Sequence, residues 1–189
     1  MSNLLMQAVV KTRFALTSRE KTSAQIQKSL DKYLALSRMV NAECGTLPVF
    51  VPRMMGIDED MRNWSFFMIL EHIAIVNRSV TSLVPSLVRG EEPEGLSDFD
   101  PKKDVMPSPD PGIEQIHAFR SSVEDHLIVV SGLDRLRGSL RIQHPIFGQF
   151  DAHCWHCMFG LHLFIHYKQA EYVVQKICAE QGSGSDAIR

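Results

Sequence analysis

FGQFDAHCWHCMFGLHLFIHYKQAEYVVQK, residues 147–176, is the stretch whose reading decides the fold. From Asp151, a plausible N-cap, the segment carries a helical pattern to about Glu180. Trp155, Phe159, His162, His166, Gln169 and Val173 fall on one face of that helix. His162 and His166 are four residues apart, so their side chains sit one turn from each other on the same side. Two imidazoles in that relation can share one metal ion. The face they occupy is apolar, so it should point inward. A buried neutral imidazole carries one donor and one acceptor, both of which need partners.

Working outward, a third imidazole must come from another part of the chain, and His72 is the best placed. It lies in a second helical pattern, from about Glu59 to Val88, where Trp64, Met68, His72 and Ile75 line one face. Pro85 should kink or end that helix. The first helix is expected from Ser18 to near Cys44 and Gly45, with Ile26, Leu30, Tyr33, Leu34, Leu36 and Met39 on its apolar side. Thr22 or Ser23 is read as its cap, and residues 1–17 as a poorly specified lead-in. A third helix fits Ile113 to Leu136, and a frayed tail begins at residue 181. The connectors are long. Residues 46–58 contain Pro48, Pro52 and Gly56, 89–112 are rich in Pro, Gly and acidic residues, and 137–150 include His144-Pro145 and Gly148. A connection as long as 89–112 is either a solvated crossover or a lid or binding loop. No strand pattern exceeds the short LPVFV segment at 47–51. Four long helices and no repeat give an all-α four-helix bundle in a single domain over residues 1–189.

The totals narrow the function. The chain has 189 residues, 44% hydrophobic and 22% charged, enough to bury a core without staples. A formal net charge of -2 without a run of Lys or Arg argues against nucleic acid as a partner. No apolar stretch reads as both long and uncharged enough to span a bilayer, and the N-terminus lacks a secretory pattern. Four cysteines (Cys44, Cys154, Cys157, Cys178) without a framework spacing indicate a reducing compartment, and we expect a cytoplasmic protein.

Three protein ligands would leave one coordination position open, the pattern of catalytic rather than structural sites. Imidazole suits Zn, Ni, Cu and Fe. Gln169 and Glu71 are candidates to orient the outer ring nitrogens. A rival cluster, His153, His156 and Cys157 with Cys154 between, lies on another face of the last helix and reads better as buried or interfacial side chains. His117, His126 and His144 read as surface or loop histidines.

Trp64-Ser65 followed by Glu71-His72, then His144-Pro145-Ile146-Phe147-Gly148, then His162-x-x-x-His166-x-x-Gln169, occur in an order that resembles the DinB-like superfamily of YfiT-type four-helix bundles. The resemblance covers about residues 60–176. It implies a divalent metal, Zn or Ni first, held by His72, His162 and His166. It also implies relatives that are S-transferases or isomerases using low-molecular-weight thiols, and frequent homodimers. The function it points to is a metal-dependent enzyme that activates such a thiol, or water, against a small-molecule substrate. The alternative is a non-catalytic metal-binding or stress-related interaction bundle. The 90–112 loop and the HCWHC segment match no family motif, so the substrate stays open. The far face of the last helix, with HCWHC, is a candidate self-association surface.

Overall fold

A computed structural model describes residues 3–93, 100 and 103–185. Its five helices are α1 (Asn3–Leu16), α2 (Arg19–Ser37), α3 (Phe66–Arg89), α4 (Glu114–Ser131) and α5 (Ala152–Ser185). A small antiparallel hairpin, β1 (Ile142–His144) and β2 (Gly148–Phe150), precedes α5. The bundle proper is α2 to α5: α3 packs on α4 and α5, and α2 packs on the same two helices from the other side. The core between them holds Ile26, Tyr33, Phe66, Ile73, Phe119 and Leu163, all essentially inaccessible to solvent. The buried Tyr33 hydroxyl donates to the Leu163 carbonyl at 3.0 Å, which fixes α2 against α5.

Helix boundaries follow the caps. Ser18, not Thr22 or Ser23, caps α2: extended at φ -81° and ψ 160°, its side chain accepts from the Lys21 amide. A serine in that role contributes about 1 kcal/mol. α2 stops at Ser37, earlier than the glycine at 45 suggested, and Cys44–Thr46 form a separate 3-10 turn. α3 begins at Phe66 rather than near Glu59, because Ser65 caps it by accepting from the Met68 amide. Glu59–Met61 are a 3-10 turn of their own. Pro85 neither breaks nor ends α3, which continues to Arg89 and closes on Gly90 at φ 77°. α4 ends at Ser131 rather than Leu136, and α5 runs past Glu180 to Ser185. The frayed tail expected from residue 181 is therefore helical to 185, and positions 186–189 lie outside the described residues. So do 94–99 and 101–102 of the long connector.

Four features were not expected. The lead-in is a helix: α1 lays Phe14 onto Phe147, Phe150, Cys157 and Met158, forming a second small core. It thereby covers His153 and Cys157 of the HCWHC segment read as a self-association surface. The connector before α5 folds into the hairpin, with a three-residue turn closed by Gly148 at φ 78°, where glycine avoids the Cβ penalty. The LPVFV segment is not an assigned strand, yet it runs beside 62–64, with Val49 N–H donating to the Trp64 carbonyl and Val51 N–H to that of Arg62. Finally, α3 is long and apolar enough to cross a membrane by length and composition, contrary to the reading from sequence. Half of that apolar window is buried in the bundle between α4 and α5.

Candidate metal centre

The facing surfaces of α3 and α5 bring His72, His162 and His166 together, with one nitrogen from each within 4.8 Å of the others. Among the described residues this is the one group of three histidine, cysteine or acidic side chains so placed. His72 Nε2 and His162 Nε2 are 3.2 Å apart. The His72 ring is 4.7 Å from that of His166, and His162 and His166 are 4.5 Å apart, centroid to centroid. Two nitrogens on a tetrahedral zinc at 2.0–2.1 Å would be separated by about 3.3–3.4 Å. The His72 and His162 pair is already close to that spacing.

The outer nitrogens decide which ring atoms are available. His72 Nδ1 lies 2.7 Å from the Val105 carbonyl, which can only accept, so Nδ1 carries the proton and Nε2 its lone pair. His166 Nδ1 lies 2.9 Å from Gln169 Oε1. The amide of Gln169 is oriented by its own donation from Nε2 to the Met61 carbonyl at 2.7 Å, so its oxygen faces His166. His166 Nδ1 therefore donates, and its Nε2 is also a free lone pair. Gln169 has the orienting role expected of it. Glu71 instead holds Ser108, through the backbone amide and the hydroxyl at 2.7 Å each. His162 Nδ1 is buried and has no hydrogen-bond partner. Two inward lone pairs beside a third buried imidazole make a donor set that could hold a metal ion.

The electrostatics agree. Burial lowers the affinity of all three rings for protons. His166 is brought to about 3 by burial and by the charge that His72 would carry. His162 is pushed well below the ordinary histidine value by burial first, then by His166, His72 and His144. His72 is lowered by burial and partly restored by the Val105 carbonyl. Neutral imidazole is the form that ligates a metal, and burial keeps all three rings in it at physiological pH.

Both neighbouring connectors border the cluster. Gly56, at φ 81°, packs on Ile165, the residue before His166; a Cβ there would come within 3.0 Å of Ile165 Cγ2. Trp64, just before α3, sets its ring at a tilt of 51° with its centroid 5.1 Å from that of His72. From the other side Val105 reaches His72. Two surface cavities, of about 590 and 490 Å³, lie elsewhere, along α1 and the start of α2 and beside Arg137 and His153.

Two of the remaining histidines are not where the sequence suggested. His126 is fully buried, not on the surface: its Nε2 is 3.0 Å from His156 Nδ1 and its Nδ1 3.1 Å from the Thr81 hydroxyl. His144 is also buried, its Nδ1 accepting from the Ile146 and Phe147 amides while its ring packs 5.2 Å from Trp155. His117 is exposed, as read. The rival cluster is buried, as read: His153 Nε2 meets the Phe14 carbonyl at 3.0 Å and Cys157 Sγ at 3.6 Å, while His156 faces Ser23 and His126. Burial raises the Cys154 thiol to about 12 and also raises Cys157.

No family model matches the sequence, and no curated protein matches it. Among solved structures, the chain is similar to the crystal structure of TT2238, a four-helix bundle protein. The identity is 17%, the TM-score 0.53, and the match covers 82% of this chain and 99% of that one. At that identity the likeness shows the fold. The chain is a four-helix bundle with an added N-terminal helix and hairpin.

Proposed function

We propose that this is a DinB-like, divalent-metal-dependent protein in which His72, His162 and His166 hold zinc or nickel. The observation that carries the reading is the meeting of His72, His162 and His166 with two Nε2 lone pairs fixed by Val105 and Gln169. Without a cation, those two lone pairs have only the single N–H of His162 Nε2 between them, whereas a cation takes all three nitrogens as donors. When bound, such a metal lowers the pKa of a thiol or water so that a nucleophile exists near neutral pH. We assign the activity to the S-transferase type, with a low-molecular-weight thiol as cosubstrate and a small electrophile as substrate. The chain's own contribution is to hold the donor set rigid and to border it with the 46–58 and 103–108 segments, the places where substrate contacts reside in such scaffolds. We further propose a cytoplasmic homodimer that binds neither nucleic acid nor membrane.

The second reading, a metal-holding bundle without catalysis, draws on two observations. His162 Nδ1 is sealed from solvent, and the cavities along α1 and beside Arg137 lie away from the centre. A thiol-consumption screen separates the readings. Metal-loaded protein, with small thiols and a panel of alkyl and epoxide electrophiles, should consume thiol faster than the His162→Ala variant. Equal rates for both proteins, with metal demonstrably bound by the first, would leave the non-catalytic reading.

A further inference from the structure

The long connector reaches the centre at one point, and that point decides the state of a ligand. Lys103 and Asp104 form a turn on Asp100, their amides meeting its carbonyl at 3.0 and 2.9 Å. The turn delivers Val105, whose side chain is buried and whose carbonyl accepts from His72 Nδ1 at 2.7 Å. Met106 packs against the main core. Three residues on from Val105, Ser108 gives both its amide and its hydroxyl to Glu71 Oε2 at 2.7 Å each. Glu71 and His72 are adjacent on α3. The segment 105–108 is thus fastened to α3 at both ends, by a carboxylate on one side and an imidazole on the other.

We propose that Glu71 is a positioning residue for the metal centre: by holding Ser108 it places the Val105 carbonyl, which keeps His72 in the Nδ1–H tautomer with Nε2 facing His162 and His166. A neutral histidine exchanges readily between its two tautomers, and only the one with a free Nε2 can ligate from that atom. The hydrogen bond that selects it comes from a backbone atom, so it depends on where the connector lies. Two charge-assisted bonds on one carboxylate oxygen are among the stronger tethers available to an exposed segment. Glu71 itself does not touch the centre. Its effect runs through the connector, which also makes this segment the part of the chain through which something bound at 103–108 would alter metal affinity.

The inference rests on the proposed metal site, and its test has one arm that needs no metal. In metal-free protein labelled with nitrogen-15, the ring resonances of His72 should report a single Nδ1–H tautomer. In Glu71→Ala they should report a mixture, while Glu71→Gln, which still offers an oxygen to Ser108, should restore the single form. A His72 tautomer unchanged in Glu71→Ala would overturn the inference. The second arm is zinc affinity by chelator competition, where Glu71→Ala should bind about 10–100-fold more weakly, the usual effect of losing an outer partner. Equal affinity in a folded Glu71→Ala protein would overturn the inference and leave the metal site standing. Absence of zinc binding by the wild type would overturn both. Unfolding of Glu71→Ala is covered by Ser108→Ala, which removes one of the two bonds and should shift the tautomer and the affinity by less, in the same directions; no shift in either would also overturn the inference.

Discussion

His72 and His162 approach with their Nε2 atoms 3.2 Å apart, across the interface of two helices separated by ninety positions in the chain. In the absence of a cation this contact must be an N–H to nitrogen bond; with a cation, both atoms turn their lone pairs to it. In both arrangements His162 Nδ1 is buried without a hydrogen-bond partner, so what a cation adds is a shared acceptor for the inward lone pairs. The rest of the centre is built to keep the other two rings from swivelling.

Gln169 is the clearest case. It ties His166 Nδ1 to the Met61 carbonyl, and Gln169→Leu removes both bonds with little change of volume. Metal affinity should fall about 10–100-fold. Chelator competition with the variant checks this, and an unchanged affinity would mean that packing alone orients His166.

The histidine cluster was legible in the sequence because its members obey a helical period: His162 and His166 share a face by spacing, and His72 sits in the apolar stripe of α3. What was not legible depends on partners far along the chain. His126 looks like a surface residue until His156 and Thr81 are placed beside it. α1 exposes Leu4, Leu5, Val9 and Leu16, so its local pattern gives no inward stripe; Phe14, which meets the hairpin and α5, is its buried anchor. Ser18 and Ser65 set helix starts through single cap bonds that compete with several other serines and threonines nearby. Tertiary contact, rather than propensity, decided each of these.

The His126 and His156 pair predicts acid sensitivity. Burial and the neighbouring His156 hold His126 at about 3, and burial chiefly holds His156 at about 4. In the unfolded chain both return to about 6.5. Below that value the unfolded state binds protons that the folded state refuses, so stability present above about pH 6.5 is lost as pH falls toward 4. The slope is at most about 1.4 kcal/mol per pH unit for each histidine. Urea unfolding of metal-free protein at about pH 7 and about pH 5 should show the loss, and His126→Leu with His156→Leu should reduce it by up to about 4 kcal/mol. Parallel curves for the two proteins would contradict the assignment of the loss to this pair.

Gly56 should tolerate no side chain. Its φ of 81° and the 3.0 Å that would separate an added Cβ from Ile165 combine backbone strain with a clash beside the centre. Gly56→Ala should cost about 1–3 kcal/mol, or roughly 2–10 °C in melting temperature for a chain of this size. Thermal melts read it directly, and a variant as stable as the wild type would show that the connector shifts freely.

The measurement that bears most directly on the three-histidine centre is elemental analysis of the untagged protein beside its His162→Ala variant. Close to one divalent metal per chain is expected in the wild type and little in the variant. Zinc at about a hundred times its dissociation constant should also stabilise the wild type by about 2.7 kcal/mol. Metal absent from both proteins, together with no binding on titration of the wild type, would contradict the metal centre and return the three histidines to the core.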